Sequence, residues 1–220
     1  MPRIMVIGVG PGSADYLTPA AQRALAGARV VVGGKRHLAS LARGKQKTFI
    51  IKNNLAAMVD FIRSHREEGV AVLASGDPGL YGILNYLRQH FTPEELEVIP
   101  GISSVQVAFA RLAIPWHDAL ILSAHGRATD DLVNLIRHQG KVAILTSPGA
   151  PPNHLAKLLV EAEITNRKIF CCCNLGYPDE EILETTPCEL ARQDFSGQNN
   201  CVMVIIDEKN LDICYSGNTR

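Results

Sequence analysis

Two glycine-rich turns stand about seventy residues apart and are the sequence features most able to do chemistry. Val6-Ile7-Gly8-Val9-Gly10-Pro11-Gly12-Ser13 closes an N-terminal apolar run, and Ser75-Gly76-Asp77-Pro78-Gly79-Leu80-Tyr81-Gly82 closes the run 70–74. A glycine turn at the carboxyl end of a buried strand brings main-chain groups close to a ligand, and open α/β sheets bind ligands at that end. The first turn imitates the start of a dinucleotide fingerprint but departs from it three times. Ser13 replaces the third glycine, Pro11 removes an N–H that a pyrophosphate would use, and the next strand, Val30-Val31-Val32-Gly33, ends without the carboxylate that holds a ribose. Gly34-Lys35 is followed by Arg36 and lacks the loop of a Walker motif.

Composition narrows the classes further. The 220 residues are 46% apolar, enough for a sizeable core in one large or two small domains. The 22 basic and 22 acidic residues cancel and are interspersed, so no footprint for nucleic acid or anionic lipid is expected. No apolar run approaches the ~20 residues that span a bilayer, and the N-terminus enters a strand directly, so a cytoplasmic location is expected. The six cysteines, Cys171, Cys172, Cys173, Cys188, Cys201 and Cys214, lie in the last quarter of the chain. Three consecutive cysteines on a strand point to alternate faces and cannot all chelate one ion, so no metal site is expected, and the thiols read as small buried apolar groups kept reduced.

The positioning elements follow from periodicity. Strands are predicted over 4–9, 30–33, 48–51, 70–74 and 96–99, and helices over 55–68, 80–89 and 105–112, with Thr18 capping a helix that has Pro19 at its first position. Pro100-Gly101-Ile102-Ser103-Ser104 forms a third ligand-type turn. Pro115 is expected to stop a helix at a boundary dividing an N-terminal α/β domain, 1–115, from a C-terminal one, 116–220. The second half offers strands at 119–122 and 142–145, helices at 130–138 and from Pro152 through Glu161, and then runs at 168–173, 182–186 and 201–206 that imply antiparallel pairing.

In this order the motifs resemble the tetrapyrrole methylases, a family of S-adenosylmethionine-dependent methyltransferases. The resemblance is carried by Gly8-Val9-Gly10-Pro11-Gly12 with Leu17-Thr18, by the Ser75 to Gly82 turn, and by Pro100 to Ser104. Ser123-Ala124-His125-Gly126-Arg127 and Asn174-Leu175-Gly176-Tyr177-Pro178-Asp179-Glu180 are similar to the carbon-5 branch, which methylates precorrin-6Y or cobalt-precorrin-7 in the cobalamin pathway. Cys173 stands where that branch usually has Glu, and the length leaves no room for the fused decarboxylating domain of some relatives.

The resemblance implies an α/β class III methyltransferase fold of two domains, with S-adenosylmethionine in the cleft between them, S-adenosylhomocysteine as product, and a homodimer. A separate decarboxylating C15-methyltransferase is an expected partner. It implies that Gly76, Asp77, Leu80, Ser103, Ser104, Ser123, Ala124, Thr146 and Leu175 meet the cofactor, and that Gly10, Pro11 and Gly12 border a tetrapyrrole trough. Arg36, His37 and Arg127 would pair the substrate's carboxylates, or are ordinary solvated charges. Tyr81 reads either as a substrate contact or as packing. His125 and Asp77 are the candidate bases; His125 reads equally as a loop hydrogen-bonder, and Asp77 as a turn or capping residue. Other readings are a methylase of another precorrin position, of diphthine or of ribosomal RNA, and a non-catalytic nucleotide-binding module.

Overall fold

The computed structural model describes residues 2–125, 129–195, 200–207 and 209. They form two compact units, the first ending at Ser104 and the second beginning at Val105. In the first, β1 (Ile4–Gly8), α1 (Pro19–Gly27), β2 (Val30–Gly33), α2 (Lys35–Leu41), β3 (Lys47–Ile50), α3 (Leu55–Ser64), β4 (Val70–Ala74), α4 (Leu84–Leu87) and β5 (Leu96–Ile99) follow one another. The strands make an all-parallel sheet in the order β3-β2-β4-β1-β5.

Alternation along these strands sorts the core. Ile4, Val6, Val30, Val32, Val70 and Val72 pack with Met58, Val59 and Ile62 of α3 and Leu87 of α4. Ile7, Val31, Ala71 and Leu73 pack on the opposite face with Ala21 and Leu25 of α1 and Leu38 of α2. The connections leaving the neighbours β1 and β4 therefore pass to opposite faces, the arrangement that opens a crevice at the carboxyl end of a parallel sheet.

In the second unit α5 (Ser104–Leu112) leads to β6 (Leu120–Ser123), α6 (Thr129–Arg137), β7 (Lys141–Leu145), α7 (Pro152–Glu161), β8 (Arg167–Cys173), β9 (Glu181–Thr185), α8 (Pro187–Leu190) and β10 (Cys201–Asp207). The sheet runs β6-β7-β10-β8-β9, with β6 and β7 parallel and the remaining pairs antiparallel, as the β-branched runs imply. Leu122, Ile144, Ile169, Cys171, Cys173 and Met203 share one core with Leu132 and Ile136 of α6 and Leu155 and Leu159 of α7.

Several expectations need correction. The helix expected over 80–89 shrinks to Leu84–Leu87, because Tyr81 takes φ +52° and Gly82 lies so near the Pro78 carbonyl that a Cβ would stand 2.5 Å from its oxygen. Helix α5 ends at Leu112 as expected, but the stop is made before Pro115: Ala113 turns left-handed at φ +53° and Ile114 N–H bonds the Phe109 carbonyl at 3.1 Å. Among the cysteines, Cys171, Cys172, Cys173 and Cys201 are buried, but Cys188 is exposed on α8; Cys214 lies outside the described residues. Among the described residues no helix is long and apolar enough to cross a membrane.

Candidate functional site

In the first unit the carboxyl ends of β1, β4 and β5 meet through close backbone contact. A Cβ on Gly8 would lie 2.4 Å from the Gly101 nitrogen, and one on Gly101 would lie 2.2 Å from the Gly76 carbonyl oxygen. Gly10 and Gly76 exchange main-chain hydrogen bonds at 2.8 and 3.3 Å, both with positive φ (+77° and +62°). The three turns thus close into one wall that only glycine permits. Asp77 fastens it: Oδ1 accepts the Gly79 N–H at 2.8 Å and Oδ2 the Gly101 N–H at 3.2 Å. Around the wall, Pro11 is buried, Gly12 half-buried, Ser103 buried, and Leu80 and Ser104 half-buried, whereas Tyr81 is exposed. An added Cβ on Gly76 would come to 3.4 Å of Ser103 Cα, in van der Waals contact, so glycine leaves a gap between the second and third turns that a single methyl would fill.

Arg36 and His37 begin α2 just past β2, at this same end of the sheet. Arg36 is exposed. His37 is half-buried, and its Nε2 has no hydrogen-bond partner among the described residues. Burial, with Arg36 adding to it, pushes the imidazole below its ordinary value.

The second unit repeats the convergence by different topology. Ser123 ends β6, Thr146 follows β7, Leu175 follows β8, and antiparallel β10 begins at Cys201, so all four lie at one end of that sheet. Ser123, Ala124, Thr146 and Leu175 are buried. The Thr146 hydroxyl donates to the Cys201 carbonyl at 2.8 Å, and the Ala124 N–H to the Leu145 carbonyl at 2.9 Å. His125 is exposed; its N–H donates to Ser123 Oγ at 3.3 Å, and its Nδ1 stands 3.3 Å from the same oxygen. Arg127 lies outside the described residues.

Some of the arrangement is invisible in the motifs. Asn174 takes φ +50° and Gly176 φ +81°, so Leu175 sits at the apex of a turn with left-handed residues on both sides. Asn174 Nδ2 donates to Asp179 Oδ2 at 2.8 Å, and the Gly176 N–H donates to Glu180 Oε2 at 2.7 Å. Arg111 of α5 grips Glu180 in turn, Nε to Oε1 at 2.5 Å, and this ion pair holds the Glu180 carboxyl below the usual glutamate range. Glu180 belonged to a recognisable motif without a role; Arg111, 69 residues away, carried no signal.

A family model described as Tetrapyrrole (Corrin/Porphyrin) Methylases matches residues 3–191. A cobalt-precorrin-7 C(5)-methyltransferase of Salmonella typhimurium is 35% identical over 206 residues, which is 94% of this chain and 100% of that one. Among solved structures, the methyltransferase CobJ superposes with a TM-score of 0.77 at 24% identity, covering 94% of this chain and 95% of that one. A uroporphyrin-III C-methyltransferase from Thermus thermophilus, solved with S-adenosylhomocysteine, superposes with a TM-score of 0.73 at 20% identity, covering 92% and 91%. These two likenesses establish a shared fold.

Proposed function

The chain belongs to the tetrapyrrole methylase family, and from that premise we propose that it transfers the methyl group of S-adenosylmethionine to carbon 5 of a precorrin, of the cobalt-precorrin-7 or precorrin-6Y type, in cobalamin biosynthesis. The observation that carries this reading is a carbon-5 relative matched over its whole length at 35% identity. The motifs peculiar to that branch, Ser123 to His125 and Asn174 to Glu180, lie on the turns after β6 and β8.

The residues fit such a cofactor. Gly76 leaves a slot beside Ser103 that a Cβ would fill, and Ser123, Ala124, Thr146 and Leu175 are buried and uncharged. We assign Gly76, Asp77, Leu80, Ser103 and Ser104 of the first unit, and Ser123, Ala124, Thr146 and Leu175 of the second, to S-adenosylmethionine. Gly10, Pro11, Gly12, Tyr81, Arg36, His37 and Arg127 are assigned to the tetrapyrrole. The bound cofactor supplies a methyl group on a sulfonium, which an electron-rich ring carbon takes in line. The chain's own part is to orient the reactants and exclude water, and positioning of this kind supplies up to ~7–11 kcal/mol. Asp77 has both oxygens committed to backbone donors and acts here by positioning the second and third turns. His125, exposed beside Ser123, is a side chain able to hold a proton, with alignment of the reactants carrying the reaction.

The proposal extends to a cytoplasmic homodimer that hands its product to a separate decarboxylating C15-methyltransferase; the family resemblance supports this arrangement, and sedimentation of the purified chain tests the dimer. The reaction itself is tested with a labelled methyl donor and a precorrin mixture analysed by mass spectrometry, where label at carbon 5 is expected. Calorimetry provides the second arm: tight S-adenosylhomocysteine binding without NADH binding is expected, and NADH binding alone overturns the reading.

A further inference from the structure

We propose that Arg111 and Glu180 are positioning residues for the cofactor, a pair that sets the Leu175 turn in its binding conformation. This rests on the functional reading above and adds to it a device outside the assigned contacts. The turn needs one. Residues on both sides of Leu175 hold left-handed φ, a conformation that costs energy for Asn174, and the β8–β9 pairing that flanks the turn stops at Cys173 and Glu181, outside the residues that carry it. Among the described residues, bonds that oppose that cost run from Asn174 N–H to the Asn200 carbonyl at 2.9 Å, from Tyr177 N–H to the Asn174 carbonyl at 2.9 Å, from Glu180 N–H to the Tyr177 carbonyl at 3.0 Å, from Asn174 Nδ2 to Asp179, and from Gly176 N–H to the Glu180 carboxylate.

Of these, only the Glu180 carboxylate bond is anchored to a separate helix through a charged side chain. Glu180 offers Oε2 to Gly176 and both oxygens to Arg111, the second contact running from Nη2 to Oε2 at 3.3 Å. Its side chain is 20% exposed, so the bond to Gly176 is partly shielded from water and worth more than a surface pair. Arg111 stands in the last turn of α5, the helix that begins at Ser104 immediately after Ser103. Within the second unit, α5 thus fixes, through Arg111, the turn presenting Leu175. Helix α5 is a rigid element, and a charged two-point contact from it defines where Gly176, and with it the Leu175 backbone, can lie.

The test uses the full chain with S-adenosylhomocysteine as the calorimetric probe and S-adenosylmethionine with a precorrin as substrates. Glu180→Ala removes the acceptor for Gly176 and is expected to weaken S-adenosylhomocysteine about tenfold. Glu180→Gln still offers an amide oxygen to Gly176 and should lose about threefold, as should Arg111→Gln, which leaves Glu180 unanchored. The double variant Arg111→Gln/Glu180→Ala should be no weaker than Glu180→Ala alone, because the two residues act through one bond. In kinetics, KM for S-adenosylmethionine should rise by more than kcat falls. A purely architectural role would lower Tm in these variants while leaving Kd and KM at wild-type values, and that result overturns the inference, with the exposed Arg111→Gln giving a readable answer even where Glu180→Ala folds poorly. Failure of the unmodified chain to bind S-adenosylhomocysteine would instead count against the functional reading, and this inference would fall with it.

Discussion

Asp77 Oδ2 accepts the backbone N–H of Gly101 at 3.2 Å, so one side chain joins the turn after β4 to the turn after β5. Its other oxygen holds Gly79 within the same turn at 2.8 Å. Asp77→Ala releases both, and S-adenosylhomocysteine affinity should fall about tenfold with the fold retained. Asp77→Asn keeps one acceptor and should lie between the two in calorimetry. Wild-type affinity in a folded Asp77→Ala would refute the positioning role.

The glycine wall predicts contrasting effects of one substitution. Gly101→Ala drives a Cβ to 2.2 Å from the Gly76 carbonyl, where two backbones must separate, and should cost about 3 kcal/mol or more. Gly27 at the end of α1 has nothing within 4 Å of its added Cβ, so Gly27→Ala should gain up to about 0.5–1 kcal/mol from helix propensity. Urea titration of the two variants measures both.

The sequence displays these elements unevenly, for physical reasons. Thr18 accepts the Ala21 N–H with Pro19 at the first helical position, and α7 runs from Pro152 to Glu161, because caps and prolines act within a few residues. The period-two alternation of 171–173 is equally local: Cys171 and Cys173 enter the core with α6 and α7, and Cys172 does not. The glycine motifs marked where backbone would approach a ligand but not that Gly8 and Gly101 touch each other, a contact decided by the placement of β1 beside β5. Tyr81 broke the expected helix by a left-handed conformation that its residue type disfavours, and Arg111 met Glu180 across 69 residues. Neither can be read from composition or spacing.

The thiols should divide by exposure. Burial pushes Cys172 up to about 12, and Cys171, Cys173 and Cys201 are buried with it, so native protein should spare all four from an aromatic disulfide reagent until unfolded. Cys188 is exposed and should react at once. Loss of the rapid Cys188 signal in Cys188→Ser, with the four buried thiols still silent, is the expected pattern; rapid labelling at 171–173 contradicts the packing.

At the opposite end of the second sheet, Lys141 is buried and its Nζ donates to Asp118 at 2.7 Å and to the Pro115 carbonyl at 2.6 Å. The Lys141 bond holds the Asp118 carboxyl below the ordinary value of 3.8. A carboxylate whose folded value is depressed adds stability above its unfolded value and loses it as pH falls through the folded one. Asp118→Asn should therefore lower Tm by a few degrees at pH 7, where it strips a buried ammonium of its charged partner. The gap should narrow below about pH 4 as the wild-type carboxyl takes up its proton. A gap unchanged between pH 7 and pH 3 would remove the ion pair from the account.

His125 offers the sharpest division between positioning and proton chemistry. Its Nδ1 lies 3.3 Å from Ser123 Oγ, and the same oxygen accepts its backbone N–H, so Ser123 orients the ring and supplies no charge to activate it. Among the described contacts no carboxylate supports the imidazole as in a base held by a third group. Methyl transfer to an electron-rich carbon depends chiefly on alignment, and the proton lost afterwards can leave to solvent at this exposed position. A required general base would cost ~10²–10⁴-fold when removed. His125→Ala and His125→Gln are expected to lose less than ~10-fold in single-turnover methylation at matched cofactor saturation, with S-adenosylhomocysteine affinity near wild type. A loss of ~10²-fold or more in both variants, with affinity intact, would instead make His125 the base.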